Sequence, residues 1–328
     1  MDLSTTYLGL KLRNPLVVSS SSLCDSVTKL KALEDAGAGA VVLKSLFEEQ
    51  LILEAEKLEA DINTHAESFP EASSYFPDIP MSIGPEQYIQ LIKGAKKAIG
   101  IPVIASLNCA TSRNWSKFAR EIEGAGADAL ELNIYFVASD PSRTSAQIEG
   151  TYFKIIEGVR KAVKLPVAVK LSPFFTAIPH MVSEVAKREV NGVVLFNRFY
   201  QPDLDLDQLH PSLQMHLSRP EDALLPMRWI ALLYGRVAID MAATTGIHDA
   251  RTALKVLLAG ANVAQVCSTL FKNKPQYLTT MLREMEAWLK EKEYASVRDI
   301  RGVLSQKSCP DPEAFERAQY IKILVGHE

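Results

Sequence analysis

EGTYFKIIEGVRKAVKLPVAVKLS, residues 149–172, decides the fold. Up to Lys164 it has the amphipathic spacing of a helix. PVAVKLS (166–172) then turns short, β-branched and almost uninterrupted in apolar character. A strand buried on both faces of a parallel sheet reads this way. Helix followed by buried strand is the repeating unit of an α/β fold, and Lys170 stands where that strand is about to end.

The same unit recurs on both sides. Upstream strand candidates are PLVVSS (15–20), AVVLKS (40–45), PVIASLN (102–108) and DALELN (128–133); downstream ones are GVVLFN (192–197), RVAIDMA (236–242) and NVAQVCS (262–268). Helical spacing lies between them at 26–37, 85–100, 114–126 and 249–260. Ala36–Gly37–Ala38, Ala125–Gly126–Ala127 and Ala259–Gly260–Ala261 share one design: a glycine where a helix stop needs positive φ, then a strand. Eight strands alternating with helices predict a single (β/α)₈ TIM barrel; a doubly wound sheet is the rival. Long insertions are expected after strands two and six, at about 45–84 and 198–226. The tail from about 275 reads as a final helix followed by an outer extension, at about 290–328.

The length suits one large barrel domain with insertions, over 1–328, or two ordinary domains; the strand repeat favours the single domain. The chain has 328 residues, 47% of them hydrophobic, and a net charge of −3 with both signs interspersed. Nucleic acid and an electrostatic membrane anchor are therefore not expected. Cys24, Cys109, Cys267 and Cys309 form no CxxC pair, so neither a zinc site nor a disulfide framework is indicated. The six histidines make no HxxxH or HxH pattern. MDLSTTYLGLKLRNP lacks the apolar core of a signal peptide, no run reaches the length of a membrane span, and the cytoplasm is the expected location.

Polar groups collect at the strand ends: Ser19, Ser20, Ser21, Lys44, Ser45, Asn108, Asn133, Lys170, Ser172, Asn197 and Arg198. In a barrel this is the face that carries active sites. A lysine late in a buried strand must reach solvent, an anion or a cofactor, because an unpaired buried ammonium is costly. Two chemistries remain open. A lysine could form a Schiff base, as in an aldolase, or place positive charge beside a ligand carboxylate or a polarised ring. Thr245–Gly246 ends strand seven and Cys267–Ser268 ends strand eight; such small residues let backbone amides approach a phosphate. His248, at a helix start two residues after Gly246, is expected to face solvent, with a contact at the phosphate end as the other reading. The acidic run LDLDQ (204–208) reads as solvated loop carboxylates or as a cation site.

These landmarks together resemble the dihydroorotate dehydrogenase family over nearly the whole chain: LGLKLRNPLVVSSSS, Lys44–Ser45, ELN (131–133), AVKL (168–171), LFN (195–197), ATTG…VCST and YASVRDIRG (294–302). The resemblance implies FMN as cofactor and hydride transfer to or from a small planar or unsaturated ligand. It places Lys44 and Lys170 near the pyrimidine side of the flavin, with Ser20, Ser21, Ser45, Asn108, Asn133 and Phe196 in contact with the cofactor. It assigns the phosphate to Thr245, Gly246, Cys267 and Ser268, and the substrate to Lys44, Asn133 and Asn197; Arg198, beside Asn197, is a substrate candidate as a bidentate anion binder.

The departures from the family are specific. The loop after ELN carries a Cys or Ser base in the family, and here that position is Phe136. Tyr135 is the nearest substitute, with Lys44 the other candidate catalytic group; Asp140 is farther along the loop. The Asn-rich substrate loop is not recognisable within 63–84, and Arg198 replaces a small residue. The expected activity is therefore a flavin-dependent dehydrogenase with altered or reduced activity on dihydroorotate. A Schiff-base barrel lyase and a flavin-binding protein without turnover are the alternatives. A soluble electron acceptor or partner subunit is expected, and a homodimer is the candidate assembly.

Overall fold

The computed structural model describes residues 1–50, 84–111, 115–198, 201–212, 216–312 and single positions 316, 321, 325 and 326. The barrel strands are β1 (Leu16–Val18), β2 (Ala40–Val42), β3 (Val103–Cys109), β4 (Ala129–Ile134), β5 (Val167–Leu171), β6 (Gly192–Leu195), β7 (Asp240–Thr244) and β8 (Val263–Val266). Each pairs in parallel with the next, and β8 pairs with β1 (Ala264 opposite Leu16), so the sheet closes. A short strand, Leu46–Phe47, runs beside the outer end of β3. The fold is the (β/α)₈ barrel read from the repeat, not the doubly wound alternative.

Helices α1 (Val27–Asp35), α2 (Pro85–Ala98), α3 (Trp115–Ala125), α4 (Ser145–Arg160), α5 (Ile178–Ala186), α6 (Leu224–Leu233) and α7 (Ala250–Ala259) lie between the strands; α8 (Ser268–Asn273) and α9 (Tyr277–Glu291) follow β8. Gly37, Gly126 and Gly260 all take positive φ, as the A-G-A repeats require. The helix of the opening stretch starts four residues before Glu149. Thr144 accepts from the Gln147 amide and the Gln147 side chain answers the Thr144 amide, a capping box that fixes the start. β7 begins at Asp240 rather than at 236. Residues 235–239 form a turn pinned to the end of α6, with the Arg236 and Val237 amides bonded to Leu233 O.

A hairpin missed in the sequence closes the floor of the barrel. Thr5–Tyr7 pairs antiparallel with Leu10–Leu12, and Tyr7, Leu8 and Leu12 enter the interior against Ala40, Ala129, Ala168 and Ala242. Alanines on four strands make the room. Burying each large apolar side chain contributes about 1.5–3 kcal/mol. Gly192 has no Cβ because one there would strike Leu8, and the Leu8 amide donates to Asp240 Oδ2 at 2.8 Å. The second insertion carries another hairpin, Asp203–Asp205 with His210–Ser212. There Asp205 Oδ1 accepts the Asp207 and Gln208 amides, so this carboxylate caps a turn. The first insertion lies almost wholly outside the described residues, and with it all of the segment 63–84 but Gly84. Among the described residues no helix is long and apolar enough to cross a membrane.

Candidate active site

The hairpin fills the end of the barrel where the strands begin, and the candidate residues lie where they end. A cavity of about 420 Å³ lies there. Ser20 and Ser21 reach it from β1, Lys44 from β2 and Lys170 from β5. Asn197 and Arg198 follow β6, Thr245 and Gly246 follow β7, and Cys267 and Ser268 follow β8. With Ser19, which also lines it, eleven of the residues singled out in the sequence thus share one wall. A second cavity of about 540 Å³ meets the first at Asn197, Arg198, His216 and Thr245, and takes Phe196 and the apolar residues Leu224, Leu225 and Pro226 into its lining.

Other candidates stand behind the wall. Ser45 Oγ bridges Ser20 Oγ (3.0 Å) and the fully buried Ser106 Oγ (2.8 Å), which ties β1, β2 and β3 together. Asn133 Oδ1 accepts from Asn197 Nδ2 at 2.7 Å, so these amides fix each other's orientation. Asn108, half-buried at the end of β3, lines neither cavity.

Hydroxyls gather at the β7–β8 end. Ser218 lies in the second insertion, where no periodic pattern marked it. Its Oγ donates to Ser268 Oγ (2.9 Å), lies 3.1 Å from His248 Nε2 and accepts from the Gly246 amide (3.4 Å). His248 is therefore part of this cluster rather than a solvent-facing side chain. Burial first, then Lys272, pushes its pKa below the usual value. Gly246 takes positive φ, and a Cβ there would strike the backbone of Ala223; only glycine lets the two segments close this tightly. Burial raises the Cys267 thiol pKa, opposed by the Ser21 hydrogen bond and the Lys170 charge.

At the floor of the cavity, Glu131 is almost completely buried in β4. Its Oε2 accepts from Gln265 Nε2 at 3.0 Å, and Gln265 Oε1 accepts from Ser19 Oγ at 3.1 Å. Lys170 Nζ lies 3.8 Å from Glu131 Oε1. Gln265 was legible as a polar residue inside the apolar run NVAQV, and Glu131 as part of ELN, but only the closed barrel shows that they meet.

The loop after β4 is of a different kind. Phe136 packs on Tyr152 (ring centroids 5.3 Å), Tyr152 meets Phe175 edge-on at 5.3 Å, and the Arg143 guanidinium stands 6.0 Å from the Phe136 ring. Neither Tyr135 nor Phe136 lines either cavity. Burial, reinforced by Tyr135, pushes the Tyr152 phenol up to about 12. Burial pushes the Cys24 and Cys109 thiols well up, and Asp140 is fully exposed with its carboxyl held by Ser142.

A closed (β/α)₈ barrel with a polar cavity at the strand ends, two lysines in it and a hydroxyl cluster at the β7–β8 end is the architecture of a barrel enzyme. A model of the dihydroorotate dehydrogenase family matches residues 81–289, well over half of the chain, which therefore belongs to that family. It is a flavin-dependent dehydrogenase of the class that acts on CH–CH bonds. It is 26% identical to the dihydroorotate dehydrogenase B (NAD(+)) catalytic subunit of Thermoplasma volcanium, over 92% of this chain and 98% of that one. The proteins of the same name from Methanothermobacter thermautotrophicus and Geobacter sp. (strain M21) are 24% and 26% identical, again over 92% and 98%.

Proposed function

We propose that this chain is one FMN-binding domain that moves a hydride between FMN and a small planar or unsaturated ligand, and that it oxidises dihydroorotate poorly or not at all. The second half rests on one observation: the side chain at the family's base position is a phenylalanine packed on Tyr152.

FMN fits the mouth cavity. A volume of about 420 Å³ is in the range of small-molecule sites, with hydroxyls and a glycine amide at one end and a buried ammonium at the other. Ser218, Ser268, Thr245, Gly246 and Cys267 would hold the phosphate. Lys44 and Lys170 would face the pyrimidine side, with Ser20 and Ser21 along the ring or ribityl chain, Ser45 supporting Ser20, Phe196 at the adjoining cavity and Asn108 behind the wall. FMN, when bound, supplies the two-electron chemistry. The chain positions the reactants and places charge. Asn133 and Asn197, locked together, present their remaining amide donors and acceptors to the ligand. Arg198, at the junction of the two cavities, adds a bidentate anion binder. Tyr135 is the hydroxyl adjacent in sequence to the family's base position. The relatives are named catalytic subunits, which supports a partner subunit or another soluble acceptor as the outlet for electrons.

The expected outcome is that mass spectrometry of the released cofactor finds FMN. Recovery of FAD, or of no flavin after reconstitution with excess FMN, overturns the reading.

A further inference from the structure

We infer that Glu131 is a positioning residue that sets the charge Lys170 presents to the flavin; the inference rests on the reading that the mouth cavity holds FMN. Glu131 alternates with Leu130 and Leu132 along β4, which turns its side chain into the barrel interior. Its side chain is 2% exposed, and it does not line the mouth cavity. A carboxylate in such a place is costly unless it is paired and hydrogen-bonded. One oxygen is satisfied by the Gln265 amide. The other, Oε1, makes no hydrogen bond and has Lys170 Nζ as its ion-pair partner at 3.8 Å.

Two features give this pair a direction. Ser19 holds Gln265 Oε1, so the amide nitrogen must point at Glu131, and the carboxylate is held in place from β8. The 3.8 Å separation is an ion pair but longer than a hydrogen bond, so the carboxylate does not consume the ammonium's protons. Lys170 faces the cavity while Glu131 lies beneath it. The cavity therefore meets the positive end of a fixed dipole, weaker than a bare ammonium. A flavin carries more negative charge reduced than oxidised. The dipole then favours the reduced form less than an unpaired Lys170 would, and Glu131 holds the reduction potential down.

The test is the two-electron potential of the flavin-loaded full chain, measured against a reference dye. Glu131→Gln keeps the shape and removes the charge. It should favour reduced over oxidised flavin about tenfold, a rise of about 30 mV, while Glu131→Asp stays near the unmodified value. In a Lys170→Met background there is no pair to break, so adding Glu131→Gln should shift the ratio less than about twofold; a role confined to packing would not give this pattern. Gln265→Leu frees the carboxylate to close on Lys170 and should move the potential the opposite way, which keeps the idea testable if Glu131→Gln does not fold. An unmoved or lowered potential in Glu131→Gln, or an equal shift with and without Lys170, overturns the proposal. Failure of the unmodified chain to bind flavin would count instead against the FMN reading.

Discussion

The β7–β8 end of the mouth and the loop after β4 both follow strand ends of the barrel, yet they are built on different principles. At the first, the work falls to backbone and small side chains: Gly246 at positive φ, the Ser218–Ser268 pair, and an amide aimed inward. At the second, Phe136, Tyr152 and Phe175 form an aromatic cluster with Arg143 over one edge. Holding a phosphate takes many weak, cooperating donors, so that end tolerates no bulk. Removing a proton takes one group of the right type, and its replacement by an aromatic ring leaves the fold untouched. A chain can therefore keep its proposed cofactor site while its acid–base chemistry changes.

The largest effect should appear at the second region. A positioned general base contributes about 10²–10⁴-fold, and Phe136 supplies none. Anaerobic stopped-flow should show the bound flavin reduced by dihydroorotate slower than in a base-containing relative by a factor of that order. Phe136→Cys should recover part of it if the pocket admits the ligand. Fast reduction in the unmodified chain would break the comparison and make Tyr135→Phe the next variant.

The first region is tested by bulk. Gly246→Val places a branched side chain at positive φ and drives its Cβ into the Ala223 backbone. Strain of about 1–3 kcal/mol, expressed in the holding of the cofactor, weakens FMN retention by roughly 5–150-fold. Equilibrium dialysis reads this directly. Unchanged retention would mean that the close approach of 222–223 to Gly246 does not shape the phosphate end.

The two regions also differ in how far the sequence reveals them. The barrel was legible because each buried strand is a short β-branched run and three helix stops carry the same glycine. Lys170, Asn197 and Gly246 were legible because strand ends bring polar residues to one face by topology alone. Ser218 was not: it lies in an irregular insertion, and its role depends on a contact with Ser268 fifty residues away. Nor was the floor hairpin, whose three-residue strands are too short to show a period. Glu131 was visible as a letter in ELN, but its pairing with Lys170 and Gln265 arises only when β4, β5 and β8 close around one axis.

The smallest expected effect concerns His248, and it asks whether that ring belongs to the phosphate end at all. Its folded pKa is depressed, chiefly by burial and then by Lys272, against opposing pulls from Ser218, Asp249 and Asp222. A group protonated less readily when folded than when unfolded contributes stability that is present above the unfolded value, about 6.5, and is lost as pH falls through the folded one. Thermal melts of the flavin-free chain should therefore show stability declining as pH drops below about 6.5, and His248→Gln should remove that part of the slope. Loading with FMN adds a sharper condition. A phosphate held by Ser218 and Gly246 lies close to the ring and favours its charged form, so the loaded protein should lose less stability over the same pH range. If loading leaves the His248-dependent slope unchanged, the ring faces away from the phosphate, and its contact with Ser218 serves the loop alone.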